Sequence, residues 1–126
     1  MVVVDTSCWV EALRRRGDGA VREQVAELVD AGRARFVDMV RLELWNGLTQ
    51  EAPRRFLAEL EEVVDCLPTP PEVWSRARQL GIRARAAGLS VPAADLLICA
   101  TAAHHRAEIL HRDAHFDALA KLVPKS

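Results

Sequence analysis

The alternation of short β-branched runs with longer helical segments is the feature that most limits how this chain can fold. Three runs have the length and composition of buried strands, namely Val2–Asp5, Arg35–Val37 and Glu108–His111, and Val63–Leu67 can form a fourth before Pro68. Because helical segments separate these strands, we expect parallel pairing through right-handed crossovers. The sequence therefore predicts an α/β fold, a three-layer α/β/α sandwich with a mainly parallel sheet.

Helical segments are predicted between and after the strands, because apolar side chains recur in them at helical spacing. The predicted helices run from Thr6 or Ser7 to Arg15, through Val21, Val25, Leu28 and Val29 to Gly32, from Asp38 to Leu48, from near Pro53 onward, from Pro70 or Pro71 to Ala87, from Pro92 to Arg106 and from Asp113 to Leu122. In the fourth of these we expect the core face to carry Phe56, Leu60 and Val63 or Val64, and in the fifth Val73, Ala77, Leu80 and Ala84.

Length and composition are those of one ordinary globular domain. The 126 residues suffice for a single core, so residues 1–126 are expected to form one domain. No apolar run approaches the roughly 20 residues that cross a bilayer, and no secretory leader is present, so the cytoplasm is the expected location, with no membrane partner. The net charge of −1 does not by itself indicate a nucleic-acid-binding protein. Cys8, Cys66 and Cys99 are unevenly spaced, which favours reduced, buried thiols.

Two aspartates directly follow predicted strands. Asp5 ends the run of three valines, and Asp113 follows the last strand and begins a helix. Each could instead be a helix N-cap, a role that aspartate fills well. The carboxyl ends of parallel strands meet at one edge of a sheet, where ligands bind in folds of this class. If the two strands are neighbours, these two carboxylates lie close together.

Two further acids lie in apolar helical segments. Asp95 is the only charged residue in the stretch 91–103, and a lone buried carboxylate is costly unless a partner compensates it. The alternatives are an ion pair with a distant arginine or stabilisation of the helix N-terminus. Glu43 lies beside Leu44 on the apolar side of the third helix, and a solvated position at the margin of that face is its alternative. Gly47 in this helix suggests the close approach of a neighbouring backbone.

If these four acids converge, a cation is needed. Carboxylates in contact raise each other's pKa and repel, and a divalent ion removes that conflict. Oxygen ligands suit Mg²⁺ or Mn²⁺. The histidines offer a competing metal hypothesis, because His104 and His105 are adjacent and His111 and His115 have an H-x3-H spacing, but no cysteine pair completes a zinc pattern. The residues therefore favour a carboxylate site.

Four segments around these acids resemble the motifs of PIN-domain ribonucleases. VVVDTS with Asp5 resembles the first motif, RLELWNG with Glu43 the second, PAADLLICATA with Asp95 the third, and ILHRDAHFDALA with Asp113 the fourth. Their order, their spacing and the chain length are similar to those of the VapC-type toxins of bacterial toxin–antitoxin pairs, over essentially the whole chain. The fourth motif departs from the family pattern, which often has Thr or Ser at position 111 and an acid at position 115.

The resemblance implies a sheet of four or five mainly parallel strands and RNA hydrolysis supported by Mg²⁺ or Mn²⁺. It implies that Asp5 and Asp95 are the principal metal ligands and that Glu43 and Asp113 complete the catalytic cluster, with Asp117 as a supplementary acid. Asp113 or Glu43 would orient or deprotonate the attacking water. Arg14–Arg16 and Arg112 are candidates to hold the RNA backbone.

The resemblance also implies partners and a biological role. Members of this family pair with a small antitoxin that blocks the site, and they commonly form homodimers. The expected function is that of a toxin that arrests growth by cleaving cellular RNA, whether tRNA, rRNA or mRNA. Trp9 and Trp45, where exposed, would be reasonable anchors for such a partner, and the alternative expected for each is a place partly in the core.

Two other classes of function remain open from the sequence. The first is a PIN-like module that binds partners without catalysis, although the presence of all four acids argues against it. The second is a phosphatase or phosphoacceptor domain with Asp5 as the nucleophile. A haloacid-dehalogenase-like site would have an aspartate in place of Ser7, and a response-regulator-like site would have a lysine where His111 and Arg112 stand.

Overall fold

A parallel four-stranded sheet forms the centre of the computed structural model, which describes residues 1–123. Residues 124–126, the end of the predicted domain, lie outside the described part. The strands are β1 (Val2–Val4), β2 (Ala34–Val37), β3 (Cys66–Leu67) and β4 (Glu108–Leu110), in the order β3-β2-β1-β4. All three strand pairings are parallel, with Val3 opposite Arg35 on one side and Ile109 on the other. The predicted parallel α/β sandwich is confirmed.

Seven helices accompany the sheet in the described residues. They are α1 (Thr6–Leu13), α2 (Gly19–Asp30), α3 (Asp38–Gly47), α4 (Glu51–Val63), α5 (Pro71–Ala86), α6 (Ala93–His104) and α7 (Ala114–Ala120). Every predicted helix is present, and the bounds differ by one to a few residues. Helices that follow one another in the chain pack in pairs, with α1 against α2 and α5 against α6. β3 is shorter than the predicted strand Val63–Leu67, because Val63 is the last residue of α4.

The core is centred on two stacked aromatic rings. Trp9 from α1 packs on Phe36 from β2 with ring centroids 4.6 Å apart, and both side chains are fully buried. Of the two places expected for Trp9, the structure shows the core and not an exposed partner anchor, since α1 turns this ring toward the sheet. Trp45 on α3 is 36% exposed. The predicted core face of α5, from Val73 to Ala84, is buried as expected.

Two expectations about α3 and α4 are corrected by the packing. The core face of α4 consists of Leu57 and Leu60, followed by Val64, whereas Phe56 is 48% exposed and Val63 is 72% exposed. Leu60 and Val64 are thus buried as predicted, and Leu57 takes the place predicted for Phe56. Gly47 is not approached by another backbone, because a Cβ added there would meet nothing within 4 Å.

The remaining sequence expectations concern thiols and membrane segments. Cys8 and Cys99 are buried and Cys66 is half-buried, and none of the three forms a disulfide. Burial raises the pKa of the Cys99 thiol to about 11, so this group is inert at neutral pH. Among residues 1–123, no helix combines the length and the apolarity that a bilayer crossing requires.

Candidate active site

The pairing of β1 with β4 brings the two strand-end aspartates to one edge of the sheet. Asp5 follows β1 directly, and its backbone amide donates a 2.9 Å hydrogen bond to the carbonyl of Leu110, the last residue of β4. Asp113 lies three residues after Leu110, the end of β4, and immediately precedes α7. β1 and β4 are neighbours in the sheet, which is the condition under which Asp5 and Asp113 were expected to lie close together.

Asp5 is the most buried acid of the site, with only 6% of its surface exposed. It occupies the N-cap position of α1, but its side chain makes no capping hydrogen bond. Instead its Oδ2 accepts a hydrogen bond of 2.9 Å from the hydroxyl of Ser7. The Asp5 carboxylate therefore does not cap α1. It lines the same cleft as the other three acids.

Glu43 enters the site from α3. Its Oε1 accepts a 2.8 Å hydrogen bond from Thr6 Oγ1, which fixes the carboxylate beside the start of α1. The side chain is partly buried, between the fully buried Val40 and Leu44 and the exposed face of the helix. Glu43 thus lies at the margin of the apolar face, and its carboxylate reaches the cleft from there.

Asp95 lies close enough to the other three acids for their charges to raise its pKa. It lies in the first turn of α6, a helix whose residues from Leu97 to Ala102 are all buried. Burial raises the pKa of this carboxyl, and the charges of Asp5, Glu43 and Asp113 raise it further, while His115 acts in the opposite direction. No arginine or lysine forms an ion pair with Asp95 within residues 1–123. The alternative of a distant arginine partner is therefore not what the structure shows.

Asp113 has two functions in the structure. Its Oδ1 caps α7 by accepting a 2.9 Å hydrogen bond from the backbone amide of His115. Its Oδ2 lies 3.2 Å from Nδ1 of the same histidine. Capping and membership of the acidic cluster are thus compatible, because the carboxylate uses one oxygen for each.

The four acids line one open cleft of about 520 Å³. Its walls consist of Asp5, Thr6, Ser7, Glu43, Asp95, Arg112, Asp113, Ala114 and Phe116. Arg112 is the only basic side chain among these, and its guanidinium pairs with Glu11 at 3.1 Å and with Asp18 at 3.5 Å. The cleft therefore gathers four carboxylates whose charge no arginine or lysine of the described chain offsets by direct pairing.

Two histidines near the cleft, His111 and His115, were considered from the sequence only as a competing H-x3-H metal site. His115 places one ring nitrogen within 4.8 Å of carboxylate oxygens of Asp95 and Asp113. His111 instead pairs through Nε2 with Asp117 at 3.2 Å, outside the walls of the cleft. The signal that could have identified His115 is its place two residues after Asp113, in the first turn of the helix that Asp113 caps.

Comparison with known proteins identifies the family of this chain. The family model described as the PIN domain matches residues 2–122. The chain is 34% identical over 128 aligned residues to the VapC ribonuclease Mb1587 of Mycobacterium bovis, covering 98% of this chain and 94% of the relative. It has the same identity and coverage against the ribonuclease VapC11 of Mycobacterium tuberculosis.

Solved structures share the fold at lower identity. The structure of FitAcB from Neisseria gonorrhoeae matches with a TM-score of 0.80 and 23% identity, covering 96% of this chain and 94% of the other. VapBC2 from Rickettsia felis, bound to a DNA fragment from its promoter, matches with a TM-score of 0.77 and 16% identity, covering 98% and 94%. The chain belongs to the PIN-domain family and is of the VapC ribonuclease type.

Proposed function

We propose that this protein hydrolyses RNA phosphodiester bonds at the cleft formed by Asp5, Glu43, Asp95 and Asp113, with Mg²⁺ or Mn²⁺ as its cofactor. Membership of the VapC type supports the reaction class. The observation that carries the proposal is the meeting of the four carboxylates at one cleft, where burial and the charges of the other three acids raise the pKa of Asp95. Such a conflict of charge is tolerated at functional sites, where a cation or substrate compensates it.

The donor set suits a hard divalent cation. Asp5 and Asp95 are the proposed principal ligands, and Glu43 and Asp113 complete the cluster directly or through water. All four offer carboxylate oxygens at one cleft, and the buried Nδ1 of His115 has no hydrogen-bond partner among the described residues. When bound, the cation supplies Lewis acidity that activates water and offsets negative charge on the phosphate.

The protein's own residues would hold and orient the reactants. Glu43 keeps one oxygen free of the hydrogen bond from Thr6, and Asp113 keeps Oδ2 free of its capping bond, so either carboxylate can accept a proton from water. The backbone of the RNA would be held by arginines. Arg14–Arg16 are exposed beyond the end of α1, whereas Arg112 would have to exchange Glu11 and Asp18 for a phosphate.

The biological role we propose is that of a toxin held inactive by a small antitoxin protein. The names of the VapC relatives and the likeness to the FitAcB and VapBC2 structures support this assignment. The domain of residues 1–126 would act as a homodimer, and its substrate would be a cellular RNA. Mapping of the cleaved ends in total RNA after induced expression identifies which RNA is cut.

The metal dependence of cleavage tests the proposed function. Purified protein should cut RNA in the presence of Mg²⁺ or Mn²⁺, lose activity in EDTA and regain it when the metal is restored. Asp5→Asn and Asp95→Asn should abolish cleavage and growth arrest while the protein stays folded. Asp30→Asn, an exposed aspartate at the end of α2, is the matched control and should retain full activity. Full cleavage in EDTA, or by Asp95→Asn, would contradict the proposal.

A further inference from the structure

The candidate metal site contains a nitrogen atom in addition to its carboxylate oxygens. His115 lies in the first turn of α7, and one ligand atom each from His115, Asp95 and Asp113 lies within 4.8 Å of the other two. Two atoms bound at about 2.2 Å on opposite sides of one ion are about 4.4 Å apart. Small side-chain movements therefore suffice to bring these three atoms around a single ion.

Nδ1 of His115 is a buried nitrogen that lies against a carboxylate of the site. The ring as a whole is half-exposed, with 44% of the side chain accessible, but Nδ1 itself is buried and lacks a hydrogen bond in the described residues. Its near neighbour is Oδ2 of Asp113 at 3.2 Å. Buried polar atoms are normally satisfied. Nδ1 and Oδ2 of Asp113 lie 3.2 Å apart without a hydrogen bond between them, and a cation bound to both atoms would satisfy them.

The cap of α7 explains why the ring faces the cluster. Asp113 Oδ1 accepts the backbone amide of His115, and this bond sets the turn from which the ring projects. The same carboxylate then presents its second oxygen to the ring nitrogen. Asp113 thus acts both as a member of the cluster and as the residue that orients His115.

We propose that Nδ1 of His115 is a ligand of the divalent cation, together with Asp95 and Asp113, and that it makes the site favour Mn²⁺ over Mg²⁺. The inference rests on the proposed function, because it concerns the same ion. Both ions bind carboxylate oxygen, but Mn²⁺ is a transition metal and accepts an imidazole nitrogen more readily than Mg²⁺, which keeps to oxygen ligands in octahedral geometry. Binding requires the neutral tautomer with its proton on Nε2, which leaves the Nδ1 lone pair free.

The charge balance of the cleft favours a neutral ligand at this position. Asp95 is already near three other carboxylates, and each additional acid would increase the repulsion that the ion must offset. A neutral imidazole supplies one more donor atom without adding negative charge. His115 therefore completes the coordination of the ion at a lower electrostatic cost than an acid would.

Pulsed EPR of the Mn²⁺ complex tests this assignment without any measurement of cleavage. Electron spin-echo modulation from a coordinated ¹⁴N nucleus should be present in the wild-type complex and absent in His115→Gln and His115→Asp. Calorimetry should show Mn²⁺ binding weakened at least about tenfold in His115→Gln, the lower end of the loss typical when a supporting group of a metal ligand is removed. His115→Asp, which replaces nitrogen by oxygen, should retain metal binding but shift the preference toward Mg²⁺.

His104→Gln is the matched control. His104 ends α6, nine residues after Asp95, which at about 1.5 Å per residue places it about 13 Å along the helix from the site. This variant should keep both the nitrogen modulation and the Mn²⁺ affinity of the wild type.

Three results would overturn the inference, and they separate it from the proposed function. Mn²⁺ binding that depends on Asp95 but shows no nitrogen modulation would exclude His115 as a ligand and leave the carboxylate site intact. Modulation that persists in His115→Gln would assign the nitrogen to another residue. A wild-type protein that binds no Mn²⁺ at all would remove both the inference and the metal-dependent function.

Discussion

Thr6 Oγ1 donates a 2.8 Å hydrogen bond to Glu43 Oε1 and so connects the first turn of α1 to the middle of α3. The two residues are 37 positions apart in the sequence. The adjacent hydroxyl of Ser7 donates in the same way to Asp5 at 2.9 Å. Two neighbouring hydroxyls at the start of α1 therefore orient two of the four carboxylates, one from their own segment and one from another helix.

Replacement of Thr6 by valine should lower activity much more than stability. Loss of a hydrogen bond that orients a ligand of a metal typically costs about 10–100-fold in metal affinity or activity, and we expect kcat/KM for RNA to fall within that range. The free energy of unfolding should fall by no more than about 1.5 kcal/mol, the net contribution of a single hydrogen bond.

Steady-state kinetics and denaturant titration on the same preparations check this expectation. Thr6→Ser retains the hydroxyl and should restore most of the activity. Thr49→Val, at an exposed threonine after α3, should change neither quantity. Wild-type kinetics in Thr6→Val would show that Glu43 does not need this bond.

Asp95→Asn should stabilise the metal-free protein while removing its activity. The substitution keeps the shape of the side chain but removes one of four charges that repel one another in the cleft. We expect the free energy of unfolding to rise by about 1 kcal/mol, in the range commonly gained when a charge conflict is relieved. Thermal denaturation in EDTA measures this change, and Asp30→Asn serves as the control. A lower Tm for Asp95→Asn would mean that the ionised carboxylate is compensated within the protein.

The benefit of Asp95→Asn should depend on pH. The pKa of Asp95 is raised in the folded protein above its ordinary value of 3.8, so protonation of this group favours the folded state. Its favourable contribution is complete below that value and is lost as pH rises through the folded pKa. The stability difference between Asp95→Asn and the wild type should therefore be largest at neutral pH and decrease as the pH falls toward 4. A difference that is constant across pH would contradict the raised pKa.

Gly17→Ala and Gly47→Ala should have opposite effects on stability. A Cβ at Gly17 would lie 1.9 Å from the carbonyl oxygen of Glu11, so the loop between α1 and α2 must shift. We expect a loss of about 1–3 kcal/mol, as for other overpacked sites. At Gly47 a Cβ meets nothing within 4 Å, and alanine should add up to about 1 kcal/mol through its higher helix propensity. Denaturant titration of the two variants measures both, and equal effects would refute the steric argument.

The sequence predicted the sheet and the four acids because both follow from short-range patterns. A β-branched run that ends in an aspartate locates a strand and its carboxyl edge, and parallel pairing then brings Asp5 and Asp113 together. Asp95 could be identified because burying one charged side chain among apolar residues costs free energy unless a partner compensates the charge. These inferences depend on chain direction and residue type, which the sequence states directly.

The errors arose where packing decides between similar patterns. Phe56 and Leu57 are adjacent and both apolar, and only the placement of α4 on the core decides that Leu57 is buried and Phe56 is exposed. Trp9 is buried because β2 presents Phe36 to it, a contact between residues 27 positions apart. The position of the His115 ring beside Asp95 and Asp113 depends on side-chain direction at a helix start, which the H-x3-H spacing did not indicate.

The place of β4 beside β1 has a consequence for synthesis of the protein. β1 is made first, but its partner and Asp113 are encoded more than a hundred residues later. Chains grow toward the carboxyl terminus at about 5–20 residues per second, so a nascent chain lacks one wall of the cleft for at least about 5 s after β1 has been made. The four-acid cleft therefore cannot form in a nascent chain before the segment that carries Asp113 has been made.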